Sequence, residues 1–309
     1  MRNAVEFSRN LDFCGFCGEG PLVRAGPSGR AVSRKESGFH ATDQAGQGAG
    51  RGPGCPAHNG DGSLVRLLAC AFAFLTRLPV ARGALFDPKT VARSARWFPL
   101  VGVVLGAIYA ATLWVLSPRL PAAVAAVLLV ALDAALTGAM HLDGLADTAD
   151  GFGGGRSRED VLRIMRDHAI GSYGAVAVAL ALALKIAAIA ALAGSARAFS
   201  AVALAPVLGR WAAVLLGTTQ PYARPSEDNG TGSPTRWMGR TELAVATITS
   251  AAAAAACGMR GAAAALLAAV AMGVWGRRCA RRIGGVTGDT LGTGVIAAEC
   301  LTLLVFIAA

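Results

Sequence analysis

In the stretch LTGAMHLDGLADTADGFGGG, Leu136 to Gly155, three aspartates follow one another at spacings of four and three. On a helix turning about 100° per residue, Asp143, Asp147 and Asp150 fall within an arc of about 60° and share one face. Carboxylates that close repel one another unless a cation neutralises them. As hard oxygen donors they suit Mg2+ or Mn2+ better than zinc. Gly144, Gly151 and the run from Gly153 to Gly155 give the backbone room to approach a bulky ligand, as phosphates carrying a metal would require. Gly151 and Gly153, with Gly288 further on, are therefore expected to line that approach. A solvated helix end is the plain alternative, since exposed acids are common; an all-acidic face among so many glycines is not.

Other chemistry-bearing residues lie near this segment or far downstream of it. His141, two positions before Asp143, suits a donor that orients an aspartate or a general base; His168 is a weaker candidate of the same type. In SREDVLRIMRDHAIGSYG, Arg156, Arg158, Arg163 and Arg166 precede Asp167. Arginine recognises phosphate through paired donors, yet Arg163 and Arg166 also alternate with Val161, Leu162, Ile164 and Met165 as on an amphipathic surface helix. The stretch GGVTGDTLGTGVIAAEC, Gly284 to Cys300, places Asp289 among glycines and Glu299 ten residues later inside an apolar run. An ionisable residue at that depth is costly and reads as functional by default. Asp133, Lys185 and Arg210 fall under the same argument, with snorkelling as the alternative for Lys185.

The elements that must position these residues are hydrophobic. Of 309 residues 54% are hydrophobic and 16% charged, more apolar than a soluble domain, and 39 glycines fit close helix packing in lipid. Seven apolar runs approach the length of a membrane helix: Trp97 to Ser117, Pro121 to Met140, Gly174 to Gly194, Ala198 to Gly217, Glu242 to Cys257, Gly261 to Gly276 and Thr290 to Ala309. Leu64 to Val80 is apolar but carries Arg66 and Arg77, as an interfacial or re-entrant helix does. The fold expected is an all-α polytopic bundle with about seven spanning helices and that N-terminal helix. The long connections, 81–96, 143–173, 218–240 and 277–289, hold fifteen Lys and Arg against three in the short ones. By the positive-inside tendency the long connections are cytoplasmic, which gathers the aspartate segment, the Arg224 loop and the Asp289 turn on one side.

Residues 1–62 form a separate unit in this reading, a disordered or mis-assigned extension ahead of a membrane domain over 63–309, because they mix Gly, Arg, Ser, Pro and Asp without apolar periodicity. Cys14 with Cys17 and Cys55 with His58 would supply four zinc ligands, but the long gap between the pairs argues against such a site. The net charge of +10 invites a nucleic-acid reading. The extension is almost neutral, with seven Lys and Arg against six Asp and Glu, and no basic stripe with interleaved aromatics is present, so nucleic acid is not an expected partner.

Four motifs, FLTRLPV at Phe74 to Val80, HLDGLADTADG at His141 to Gly151, RDHAIGSYG at Arg166 to Gly174 and GGVTGDTLG at Gly284 to Gly292, together resemble the cobalamin synthase family of membrane adenosylcobinamide-GDP ribazoletransferases. They occur in the family's order from about residue 64 to the C-terminus. The resemblance implies a transferase of cobalamin biosynthesis in the inner cell membrane, multi-pass, with its active site facing the cytoplasm. Its substrates would be adenosylcobinamide-GDP and α-ribazole, or α-ribazole 5'-phosphate. Adenosylcobalamin, or its phosphate, and GMP would be the products. Mg2+ would be the cofactor, and membrane lipid and other cobalamin-assembly enzymes the surroundings. On this resemblance Asp143, Asp147 and Asp150 hold the metal, Asp167 and Asp289 form a second ligand set or supply the base, and Arg166 or Arg210 assists the leaving group. Ala169 stands where the family often has a polar or basic residue, so no role carries over there.

Two rival classes make the same use of helix-borne acids. CDP-alcohol phosphotransferases need an Ala-Arg pair after their first Asp-Gly, whereas Ala146 is followed by Asp147; aromatic prenyltransferases carry two aspartate clusters, whereas Asp289 stands alone. A transporter would place its charges near the bilayer midplane within inverted repeats, and no repeat is evident.

Overall fold

The computed structural model describes residues 63–79, 87–225, 230 and 232–308. Cys14, Cys17, Cys55 and His58, with the whole of 1–62, lie outside the described residues. Among the described residues the regular structure is helical: α1 (Leu64–Leu75), α2 (Pro88–Ser94), α3 (Phe98–Leu116), α4 (Ala122–Thr137), α5 (Met140–Gly154), α6 (Arg158–Ile164), α7 (Ser172–Leu192), α8 (Ala196–Thr219), α9 (Arg240–Ala256), α10 (Gly258–Ile283) and α11 (Gly288–Ala308). Lipid offers the backbone no hydrogen-bond partners, so apolar segments of this kind close their own i to i+4 ladders.

Among the described residues, five stretches are long and apolar enough to cross a membrane: Pro88–Leu116, α7, α8, α10 and α11; the pair α4 and α5 adds a sixth passage if it is taken as one. The protein is thus a multi-pass membrane helical bundle, with fewer passages than the seven expected. The discrepancy lies in two runs: one is Pro121 to Met140, whose 16-residue helix α4 qualifies only together with α5; the other is Glu242 to Cys257. The latter forms α9, whose 17 residues rise only about 25 Å and begin with Arg240 and Glu242. Glu242 is occupied there, pairing with Arg96 and accepting the Gly239 N–H. The N-terminal apolar segment is helical over Leu64–Leu75 alone, 12 residues, too short to span. It buries Leu67, Cys70, Ala71 and Leu75 and leaves Leu64 and Val65 exposed, as an interfacial helix would.

Helix α8 is the axis of the bundle. Within its apolar window 72% is buried, against 22% for α7 and for α10, so those two face outward. Helix α3 lies closest to it because Gly102 and Gly106 lack side chains; a Cβ at Gly102 would stand 2.6 Å from the Pro206 carbonyl oxygen. Small residues that admit such approach replace the hydrophobic drive that lipid removes.

A buried ionic chain crosses this interior. The Tyr109 hydroxyl on α3 donates to Asp133 Oδ1 on α4 (2.7 Å), Lys185 Nζ on α7 donates to Asp133 Oδ2 (2.7 Å) and to Glu299 Oε2 on α11 (2.8 Å), and Arg210 on α8 donates to Glu299. Two acids and two bases balance, and one side chain from each of five helices is tied to its neighbours. Lys185 therefore does not snorkel: its ammonium is held inside the bundle.

The step from α4 to α5 decides where the aspartates go. Gly138 (φ 67°) and Ala139 (φ 59°) are both left-handed, and α5 leaves α4 at 90°. Ala139, which carries a Cβ, takes that conformation at a cost of about 1 kcal/mol. Helix α5 thus turns across the direction of α4, and with three aspartates and one histidine among its 15 residues it is not itself an apolar span.

Candidate active site

The N-terminal end of α11 packs directly on α5. Gly144 makes this possible, since a Cβ there would lie 2.9 Å from the Asp289 carbonyl oxygen; at Gly292 a Cβ would come within 3.3 Å of His141. The Thr293 hydroxyl bonds the Gly144 and Asp289 carbonyls at 3.3 and 3.1 Å. The aspartate helix and the Gly284 to Gly292 turn therefore lie on the same side of the molecule, in contact, as the charge pattern of the loops requires.

A third segment joins them. Tyr222 bridges Val286 in parallel, with Ala223 N donating to Val286 O and Val286 N to Pro221 O, both at 2.8 Å. This carries Arg224 to the site, where its Nη2 donates to Asp289 Oδ2 at 3.1 Å. The Thr287 hydroxyl reaches the same oxygen at 3.2 Å. Arg236 lies over the Tyr222 ring at 4.5 Å and donates to the Arg224 and Pro225 carbonyls, fixing the loop. Arg158 donates to the Ile283 and Ala223 carbonyls at 2.8 and 2.6 Å and so staples the same loops from α6.

Four carboxylates and the Arg224 guanidinium meet at this junction. Burial pushes the Asp147 carboxyl up to about 7, and Asp143, Asp289 and Asp150 add to the rise while Arg224 opposes it. A carboxylate that its neighbours discourage from ionising is one that a bound cation would relieve. The donor set is entirely hard oxygen, which fits Mg2+. Among the described residues no three His, Cys, Asp or Glu side chains already stand together as a coordination shell.

The individual expectations divide. Asp143 is exposed and Asp147 half-buried on the shared face. Asp150 also lies on that face, but both its oxygens are engaged: Gly171 N donates to Oδ2 at 2.7 Å and Gly174 N to Oδ1 at 2.8 Å. The carboxylate thereby docks the start of α7 onto α5, and a side chain at Gly171 or Gly174 would strike it. Asp167 is exposed and accepts the Ala169 N–H at 3.0 Å, closing its own loop; Arg166 and His168 are exposed beside it.

His141 turns into the bundle, 7% exposed, within electrostatic reach of Arg210, Asp133 and Lys185; among the described residues it makes no hydrogen bond to an aspartate. Arg210 is fully buried and paired with Glu299, so the arginine that reaches the site is Arg224. Spacing could not reveal Arg224: it stands 65 residues from Asp289 and arrives only through the Tyr222 to Val286 bridge. The glycines serve packing more than ligand access. Gly151 admits Met165 and Val161, Gly153 admits Tyr173, and Gly288 lies against Gly232. Arg163 pairs with Asp160 on the surface at 3.3 Å.

Residues 67–307 match the family model described as CobS, Cobalamin-5-phosphate synthase. Similar proteins named adenosylcobinamide-GDP ribazoletransferase include one from Syntrophobacter fumaroxidans, 42% identical over 72% of this chain and 90% of its own length. Another, from Ralstonia nicotianae, is 42% identical over 79% and 95%. A third, from a Roseiflexus species, is 41% identical over 75% and 86%. No solved structure matches the chain.

Proposed function

The chain belongs to the CobS family of cobalamin-5-phosphate synthases, and from that membership we propose that it is an adenosylcobinamide-GDP ribazoletransferase. The reaction joins adenosylcobinamide-GDP to α-ribazole, or to its 5'-phosphate, and releases GMP. The family match favours this over the CDP-alcohol, prenyltransferase and transporter readings. The observation that carries it into the structure is the meeting of Asp143, Asp147 and Asp150 with Asp289 at the junction of α5 and α11. A diphosphate is the substrate group that such an acid-rich site engages through a divalent cation.

Asp143 and Asp147 would hold Mg2+, with Asp289 completing the acidic wall, and an ion there would supply neutralisation of phosphate and leaving-group charge. The chain's own residues do the rest. Arg224 faces the same space and pairs with developing negative charge on the departing GMP phosphate. Asp289, oriented by Arg224 and Thr287, accepts the proton of the attacking ribazole 3'-hydroxyl, whose oxygen forms the new bond to the cobinamide-linked phosphorus as the bond to GMP breaks. Asp150 keeps α7 against α5 and so holds the aspartate face in register. The site faces the cytoplasm, on the side where the Lys and Arg of the long loops concentrate.

Protein purified in detergent and given adenosylcobinamide-GDP, α-ribazole and Mg2+ releases GMP in step with corrinoid product. Omission of any one of the three abolishes release. GMP release without α-ribazole, or CMP release from a CDP-alcohol supplied in place of adenosylcobinamide-GDP, would overturn the reading.

A further inference from the structure

Next to the aspartate helix stands an aromatic ring that the proposed chemistry has not used. Tyr173, in the first turn of α7, is 57% exposed, and Ile170, just ahead of that helix, is 62% exposed. Large apolar side chains left in the open beside an acidic site call for a reason. The position of Tyr173 is fixed closely. Asp150 grips the backbone on either side of it, at Gly171 and Gly174, and Gly153 of α5 lies under the ring.

A Cβ built at Gly153 would stand 2.7 Å from the ring's Cγ and 2.8 and 2.9 Å from its two Cδ atoms. Such near-equal distances to three adjacent ring atoms mean that the glycine meets the face of the ring, not its edge. One face is thus backed by the aspartate helix and the other is open. No residue with a side chain fits at position 153 without displacing the ring.

We infer that Tyr173 is a stacking platform for a flat aromatic base of a substrate nucleoside and so a substrate-binding residue beside the aspartate helix. The inference rests on the proposed reaction, whose two substrates each carry such a base, guanine on the GDP arm and the ribazole base on the other. A planar base laid on the open face is held by contacts that any π-face can make, next to the helix that carries the aspartates. An aromatic residue at a membrane interface also serves as a lipid anchor, but an anchor needs neither a backed face nor a backbone clamped to a site carboxylate.

The test compares wild type, Tyr173→Phe and Tyr173→Leu in one detergent preparation, with KM and kcat measured for adenosylcobinamide-GDP and for α-ribazole. The Leu variant is expected to raise KM for one substrate about tenfold or more with kcat little changed, and the Phe variant to behave as wild type. A rise for adenosylcobinamide-GDP identifies guanine as the stacked base; a rise for α-ribazole identifies the ribazole base. Unchanged KM values in the Leu variant, or equal damage from Phe, overturn the platform while wild-type turnover leaves the reaction standing.

A second measurement does not depend on turnover. Tyr173→Trp titrated with GMP and, separately, with α-ribazole should show fluorescence quenching beyond that of wild type for one of them; quenching by neither overturns the inference.

Discussion

Two groups of carboxylates in this protein sit a few helical turns apart and meet opposite fates. Inside the bundle, Asp133 and Glu299 are matched by Lys185 and Arg210, with Tyr109 adding a further donor. At the junction of α5 and α11, Asp143, Asp289 and Asp150 lie in electrostatic reach of Asp147 and oppose its ionisation, while Arg224 favours it. Burial alone does not distinguish a structural charge from a chemical one, since the interior set is the more buried. The balance of charge does. A neutral chain of ion pairs is complete and ties helices together, whereas clustered carboxylates that raise one another's protonation are the ones the proposed chemistry draws on.

The contrast is broken most severely from the interior side. Glu299→Leu strands Lys185 and Arg210 without a shared partner, and removal of one member of a buried pair costs about 3–5 kcal/mol. The expected outcome is a large fall in the yield of monodisperse protein and in its thermal midpoint. Arg210→Met added to Glu299→Leu leaves the Lys185 to Asp133 pair intact and should recover much of that loss. If the single variant melts like wild type, the interior chain is not what holds these helices.

At the rim the expected loss is in rate rather than stability. Asp147→Asn removes a charge that its neighbours oppose, so the protein should remain folded and inserted with an unchanged or higher thermal midpoint. GMP release should fall on the order of 100-fold or more, the equivalent of several kcal/mol of lost metal assistance. Equal loss of stability and rate would make Asp147 an ordinary structural residue.

A gentler probe is pH. The Asp147 carboxyl is raised from 3.8 to about 7 in the folded protein without a cation. Between roughly pH 4 and 7 the folded state therefore binds a proton that the unfolded chain has released, and stability falls as pH rises through that window. The thermal midpoint of cation-free protein should drop accordingly, and Mg2+ should restore it at pH 8. Proton and metal compete for the same carboxylate, so the Mg2+ concentration for half-maximal turnover should rise as pH is lowered from 8 to 6. Asp147→Asn should flatten both trends.

The smallest effect is expected at the exposed Arg163 to Asp160 pair. Arg163→Ala should leave turnover within about twofold of wild type and shift stability by less than about 1 kcal/mol. A large loss of turnover there would return Arg163 to the phosphate-binding role that its motif also allows.

Much of the fold and of the site is legible in the amino-acid sequence. The spacing of Asp143, Asp147 and Asp150 follows from helix geometry, and the apolar runs announce a membrane bundle by composition. The Gly284 to Gly292 motif marks Asp289. The departures share one cause: spacing tells which residues share a helix face but not which neighbour that face meets. Proximity in sequence pairs His141 with the aspartates, yet its side chain points the other way, into the bundle. Arg210, expected to assist the leaving group, instead closes an ion pair with Glu299. Gly153, expected to make room for a ligand, makes room for Tyr173. The span count departs at α4 and α9, whose 16 and 17 residues are at the margin of a span.

What the chain order determines by itself is local: apolar stretches that must become helices because lipid leaves their backbone no other partner, and an acidic face that its own periodicity assembles. What only the tertiary structure decides is which charges cancel. That depends on contacts between residues 52 or more positions apart, such as Lys185 with Asp133, Arg224 with Asp289 and Arg210 with Glu299. Electrostatic energy is a function of distance in space, and that distance is fixed when helices pack, at Gly102, Gly144 and the left-handed turn of Gly138 and Ala139.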